Sequence, residues 1–231
     1  MDGDPGEDEL AELSRRWLVA AVRQRYSHRF TWMGRRVFQL PQDLLALQQI
    51  LWEVKPRLVV ETGLGLGGGT LFYASMLELI GQPGEVAGID VRVLDEVRAD
   101  LSRGPLARRI RLVEGSSTSD GVLEEVRRLA SGGGPVMVVL DSHHTREHVL
   151  KELELYSPLV TPGSFLVVLD TAIADLPPEA LRGAPFGPGN DPAAAVSEFL
   201  RTAPQFVPER RLDQALAITS APGGFLRRVA S

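Results

Sequence analysis

Short apolar runs that alternate with stretches of helical periodicity constrain this chain more than any other feature. The runs are Leu58–Val60, Val86–Ile89, Ile110–Val113, Val136–Leu140 and Phe165–Leu169. They are mostly apolar and short, with Arg111 the one charged interruption, as buried strands of a parallel sheet tend to be. Helical spacing follows each run, at Thr70–Ile80, Val93–Leu101, Gly121–Leu129, Thr145–Tyr156 and Pro192–Arg201. Successive β-then-α units predict an α/β fold, a Rossmann-like, doubly wound and mostly parallel sheet.

Two parts of the chain flank that pattern. Residues 1–54 read as an N-terminal tail and helical extension, and residues 55–231 as the sheet domain. Within the extension, residues 1–8 are expected to be a flexible acidic tail. Leu10, Leu13, Trp17, Leu18 and Val22 then form the apolar stripe of a helix. A second helix runs from Pro41 to about Val54, with proline at its first turn. Near the other end, Thr171–Asn190 holds four prolines and three glycines and is expected to be an irregular, lid-like loop. Ala215–Thr219 and Gly224–Val229 are expected to pair as a hairpin that completes the sheet.

Composition removes several function classes. The 231 residues contain no cysteine, which excludes disulfides, thiolate catalysis and Cys-ligated metals. With 25 Lys+Arg against 30 Asp+Glu the net charge is −5, so the chain lacks the positive field of a nucleic-acid binder. The acidic N-terminus does not read as a secretory signal, and no apolar stretch approaches the roughly 20 residues of a membrane span. The expectation is a cytoplasmic protein with neither nucleic-acid nor membrane partners.

Glycines 63, 65 and 68 follow the first strand in a G-x-G-x-x-G pattern. Side chains are absent there so that a ligand can approach the N-terminus of the next helix. Asp90 ends the second strand, where a carboxylate can accept the hydroxyls of an adenosine ribose. Dinucleotides and S-adenosylmethionine both use this geometry. Glu61, just before the turn, would repel a pyrophosphate but can engage a ligand ammonium, which favours S-adenosylmethionine. Ser116 and Ser117, after the third strand, are candidates for the adenine border, although a plain turn and helix cap explains them as well.

The fourth strand runs into Asp141-Ser142-His143-His144, with His148 one helical turn further on. The fifth ends at Asp170. Open α/β sheets bind ligands at such carboxyl ends, so these residues are the candidates for acid–base or metal chemistry. Asp141 and Asp170 could share a hard divalent ion. Zinc on His144 and His148 would need a third ligand, and His143 competes with His144 as base.

The stretch Lys55–Ser75, Gly88-Ile89-Asp90, Asp141–His144 with His148–Leu153, and Gly187–Val196 followed by Glu198-Phe199-Leu200 together resemble the cephalosporin hydroxylase family. Trp32-Met33-Gly34 and Pro41-Gln42-Asp43 also match, so the resemblance spans roughly residues 30–229. It implies an S-adenosylmethionine-dependent methyltransferase of antibiotic or sugar biosynthesis, related to macrolide-sugar O-methyltransferases. Glu61, Gly63 and Gly65 would line the methionine part, Asp90 the ribose and Ser116 or Ser117 the adenine. Asp141 would be a metal ligand and His144 the general base. The family's Glu-Asp pair at the end of the fifth strand, which helps bind Mg²⁺, is Leu169-Asp170 here, so one oxygen ligand is missing.

The expected function is O-methylation of a hydroxyl on a small natural product or sugar by a homo-oligomeric enzyme. The alternatives are a NAD(P)-dependent oxidoreductase, which leaves Glu61 without a role, a cofactor-binding protein with a degraded metal site, and non-methylating chemistry assisted by the sulfonium.

Overall fold

A computed structural model describes residues 5–230. The first helix, α1 (Pro5–Arg23), already includes residues 5–8, so the expected flexible tail is corrected there; residues 1–4 lie outside the described part. A 3₁₀ turn at Tyr26–Arg29 leads into a two-stranded ribbon, β1 (Thr31–Trp32) and β2 (Arg35–Arg36). Its turn residues Met33 and Gly34 have φ of 47° and 83°, the twist that two-residue hairpins require. Helix α2 (Pro41–Val54) starts on proline and buries Leu44, Leu47, Ile50 and Leu51.

The sheet elements then follow in order. They are β3 (Leu58–Thr62), α3 (Gly68–Ile80), β4 (Glu85–Asp90), α4 (Asp95–Arg103), β5 (Ile110–Glu114), α5 (Asp120–Ala130), β6 (Val136–Leu140), α6 (Arg146–Tyr156) and β7 (Phe165–Val168). Short 3₁₀ turns at Thr171–Asp175 and Pro178–Ala180 interrupt the segment expected to be irregular. Helix α7 (Pro192–Leu200) has Pro192 in its first turn and Asp191 as its cap, the side chain accepting from Ala194 N–H at 2.9 Å. The chain closes with β8 (Phe206–Pro208), α8 (Arg210–Ala215) and β9 (Phe225–Arg228).

Seven strands form one sheet in the order β5-β4-β3-β6-β7-β9-β8, parallel except for β9, which runs antiparallel to both of its neighbours. The expected C-terminal hairpin is corrected in its first arm. Ala215 ends α8, residues 216–219 form no strand, and β9 pairs instead with β7 and with the three-residue β8. Residues 215–218 are exposed or half-buried and only Thr219 is buried, and the true partner, ending at Pro208, is too short to carry a period.

Apolar layers on both faces of the sheet hold it together. One gathers α2 and α3 through Leu47, Ile50, Leu51, Phe72 and Leu77. The other gathers α5, α6 and α7 through Val126, Leu153, Tyr156 and Phe199. Full burial of each such side chain contributes about 1.5–3 kcal/mol. Chain order reverses between β3 and β6, so their carboxyl ends open a crevice at the switch point.

Candidate active site

One cavity of about 450 Å³ occupies that crevice. At one end lie Gly63, Gly65 and Asp90, and at the other Asp141, His144 and Asp170. Gly63 has φ of 81°, and a Cβ there would stand 2.1 Å from Asp141 O, so the β3 turn can meet the end of β6 only as glycine. Gly65 donates its N–H to Asp90 Oδ2 at 3.0 Å, and Asp90 Oδ1 accepts from Arg92 N–H at 3.2 Å. Thus the β3 turn and the β4 carboxylate form a single unit.

Not every candidate faces the cavity. A Cβ on Gly68 would meet Arg36 O at 2.1 Å, so that glycine admits the ribbon against α3 and does not line the cavity. Glu61 is only 2% exposed and takes a hydrogen bond from Thr70 Oγ1. Burial, eased by Thr70 and reinforced by the charge of Asp90, pushes its carboxyl up to about 8. Ser117 Oγ bonds His148 Nε2 at 3.2 Å, its carbonyl accepts from Tyr156 OH at 2.7 Å, and Ser116 Oγ pairs with Thr118 Oγ1 at 3.1 Å. Neither serine lines the cavity.

At the chemical end, Asp141, His144 and Asp170 each offer one ligand atom, all within 4.8 Å of one another. His144 Nε2 lies 3.4 Å from Asp170 Oδ2, and its ring stands edge-on to Phe186 with centroids 5.2 Å apart. Burial, then the charges of Asp170 and Glu61, raise the Asp141 carboxyl well above the carboxylate range. Asp170 adopts φ of 58°, a left-handed conformation that costs a non-glycine residue about 1 kcal/mol or more and recurs at functional sites. Two carboxylates and an imidazole this close suit a divalent cation with mixed oxygen and nitrogen ligands.

His143 is exposed, bonds Thr145 Oγ1 at 2.9 Å and does not line the cavity. His148 turns away toward Ser117 and buried Glu152, which corrects the idea of a zinc pair with His144. Leu169 is 2% exposed within the apolar layer under β7, and contributes nothing polar.

The remaining walls come from segments outside the sheet. Leu18, Val22, Arg25, His28 and Phe38 supply one side, and Ile173, Leu176, Leu181 and Phe186 the other. The aromatic segment and the proline-rich loop were expected to form this part; the contribution of α1 was not, because its stripe reads equally well as plain docking.

Buried Asp43, which the sequence showed only as part of a matching motif and without a role, braces the segment at Ser220 that lines the cavity. It accepts from Thr219 Oγ1 at 2.5 Å, Ser220 N–H at 2.9 Å and Ser220 Oγ at 2.7 Å. Ser220 O in turn accepts from Ala172 N–H at 3.0 Å, two residues past Asp170.

Known proteins resemble this chain in sequence and in fold. The family model described as Rhamnosyl O-methyltransferase/CmcI matches residues 24–229. The rhamnosyl O-methyltransferase of Mycobacterium tuberculosis (strain H37Rv) is 34% identical over 203 residues, 86% of this chain and 78% of that protein. The Mycobacterium leprae protein of the same name is 34% identical over 204 residues, 86% and 82% of the two chains. Among solved structures, CmcI without ligand superposes with a TM-score of 0.62 at 22% identity, covering 88% of this chain and 78% of its own. A CmcI structure with Mg and S-adenosylmethionine gives 0.60 at 22% identity and the same coverage. The O-methyltransferase TomG from Streptomyces achromogenes, solved with S-adenosylmethionine, gives 0.53 at 17% identity over 88% and 79%. These likenesses show a shared class I methyltransferase sheet. The family match and the mycobacterial relatives carry the further conclusion that this chain belongs to the Rhamnosyl O-methyltransferase/CmcI family of S-adenosylmethionine-dependent O-methyltransferases.

Proposed function

We propose that the protein methylates a hydroxyl of a sugar or sugar-bearing small molecule, with His144 as general base. The observation that carries this reading is the single cavity joining the Gly63–Gly65–Asp90 end to the Asp141–His144–Asp170 end. The names of the mycobacterial relatives support a deoxysugar hydroxyl as acceptor. An oxidoreductase reading leaves the buried Glu61 and the Asp–His–Asp group without a task.

Asp90, Gly63 and Gly65 would hold the adenosine and methionine parts of S-adenosylmethionine, whose sulfonium supplies an electrophilic methyl. Glu61 lies buried against Gly69 and Thr70 at the start of α3, and its ionised form would favour a ligand ammonium through its charge. The transfer replaces a carbon–sulfur bond by a carbon–oxygen bond and frees the hydroxyl proton. His144 takes that proton through Nε2, the ring nitrogen that lies 3.4 Å from Asp170 Oδ2. Alignment of hydroxyl and methyl along one line supplies most of the acceleration. Asp141 and Asp170 would hold a Mg²⁺-type cation, which supplies a lowered hydroxyl pKa and a fixed acceptor oxygen. Leu169 leaves that ion one carboxylate short, so water or the acceptor must complete its shell.

Calorimetric titration of EDTA-treated protein with S-adenosylhomocysteine, beside NADH and with and without Mg²⁺, tests the reading. Micromolar S-adenosylhomocysteine binding, with NADH inert, is the expected result. NADH binding, or binding of neither ligand, sinks it. Methyl transfer to rhamnosides against other hexosides then defines the sugar.

A further inference from the structure

We propose that the acceptor carries an anionic group, a carboxylate or a phosphate, and that Arg25 at the cavity mouth binds it and so determines specificity. This builds on the methyl-transfer reading by assigning the part of the acceptor that lies away from the reacting hydroxyl.

The cavity is polarised. The strand ends contribute Asp90, Asp141 and Asp170 to its lining, whereas the segment where α1 gives way to the 3₁₀ turn contributes Arg25 and His28. Arg23, Arg29, Arg36 and Arg182 gather around the same corner. Arg36 donates to His28 O at 3.2 Å, Arg29 to Gln24 O at 3.2 Å, and Arg182 to Arg23 O at 2.8 Å. Arg29, Arg36 and Arg182 thus donate to backbone carbonyls, which do not neutralise a guanidinium. Among the described residues neither they nor Arg25 make an ion pair, although Arg35 nearby pairs with Asp100 at 2.8 Å. On a chain of net charge −5, such a concentration of uncompensated cations at one opening is a local reversal of sign.

Two further observations agree. Burial and then the positive charges of Arg25 and Arg36 hold His28 below its ordinary range, against an opposing pull from Asp170. Arg25 is also fixed at its base. It stands in the left-handed region with φ of 49°, tied by its N–H to Val22 O at 3.0 Å and by its carbonyl to His28 N–H at 3.2 Å. A guanidinium on a fixed base loses less freedom on meeting an anion, and its planar fork matches carboxylate or phosphate oxygens in pairs. Much of the remaining lining is apolar, from Leu18, Val22, Ile173, Leu176, Leu181 and Phe186. The complementary ligand is an amphiphile with a hydroxyl at one end, an apolar body and an anionic group at the other.

Two fluorescent probes that share one ring body and differ by a sulfonate test this without knowledge of the natural acceptor. They are 8-anilinonaphthalene-1-sulfonate and N-phenyl-1-naphthylamine, titrated into the wild type, Arg25→Met and Arg25→Lys, with S-adenosylhomocysteine titrated into each in parallel. The expected result is that the wild type prefers the sulfonate by about tenfold, as a charge-assisted contact implies. Arg25→Met should lose that preference while binding the neutral probe within about twofold of wild type, and Arg25→Lys should fall between. Equal wild-type affinity for both probes overturns the proposal, as does equal weakening of both in Arg25→Met with S-adenosylhomocysteine binding retained. If Arg25→Met loses S-adenosylhomocysteine binding as well, the wild type's salt dependence decides. Sulfonate binding alone must then weaken severalfold between low and roughly 0.5 M salt, and a salt-insensitive preference overturns the assignment. Failure of the wild type to bind S-adenosylhomocysteine would sink the methyl-transfer reading while leaving the charge preference of the cavity measurable.

Discussion

His144 and His143 are neighbours in sequence, yet only His144 faces Asp170 across the cavity, while His143 bonds Thr145 at the surface. His144→Ala should therefore lower turnover by about 10²–10⁴-fold with S-adenosylhomocysteine affinity unchanged, and His143→Ala should leave turnover within about twofold. Glu61 gives a pH prediction whose sign follows from its raised pKa. Its proton is retained in the folded protein up to about 8. The stability it contributes is thus full below the unfolded value and is lost as pH rises through the folded one. Denaturant unfolding should show Glu61→Gln gaining on the wild type from about pH 4.5 upward, by no more than about 1.4 kcal/mol per pH unit, and levelling above pH 8. If the gap between the two proteins is flat across that range, Glu61 is already ionised in the fold. Leu169→Glu places a carboxylate in an apolar layer, so it should lower the melting temperature by several degrees. Mn²⁺ should restore part of that loss only if the new side chain reaches Asp141 and Asp170.

Elements differed in how far the sequence revealed them, for physical reasons. Strands β3, β4, β6 and β7 were legible because burial on both faces demands apolar runs, β5 at the sheet edge by the weaker run Ile110–Val113, and α2 because Pro41 marks its start. The ribbon of β1 and β2 and the short β8 contain two or three residues each, too few to display a period. Asp43 was illegible for another reason, since its partner Thr219 lies 176 residues away and nothing local distinguishes it from a solvated carboxylate. Its removal tests how the C-terminal loop supports the element bearing Asp170. Asp43→Ala strands the Thr219 and Ser220 donors inside the protein, which should cost about 1–3 kcal/mol in a denaturant melt. Mn²⁺ affinity should fall further than S-adenosylhomocysteine affinity, because the loop abuts Ala172 and not Gly65.

Across the whole molecule, sequence pattern predicted a site at the carboxyl ends of parallel strands, and the structure brings Asp90, Asp141 and Asp170 to that edge from β4, β6 and β7. The arginines around Arg25 carried no such spacing signal and became visible only when the fold set them around one opening. A ligand that binds the folded crevice and not the open chain must stabilise the entire sheet. S-adenosylhomocysteine at about 100 times its Kd should contribute about 2.7 kcal/mol, read as a rise of several degrees in melting temperature. NADH at the same concentration should leave it unmoved. The lining of the cavity divides by origin. The glycine turn and carboxylates belong to strand ends fixed by the sheet, whereas Leu18, Val22 and Arg25 belong to a helix end and its turn outside the sheet. Drift in that outer segment leaves the strands untouched, so a lineage can change which molecules it decorates while inheriting its chemistry intact. An engineer can follow the same route by grafting α1 and the turn after it between relatives.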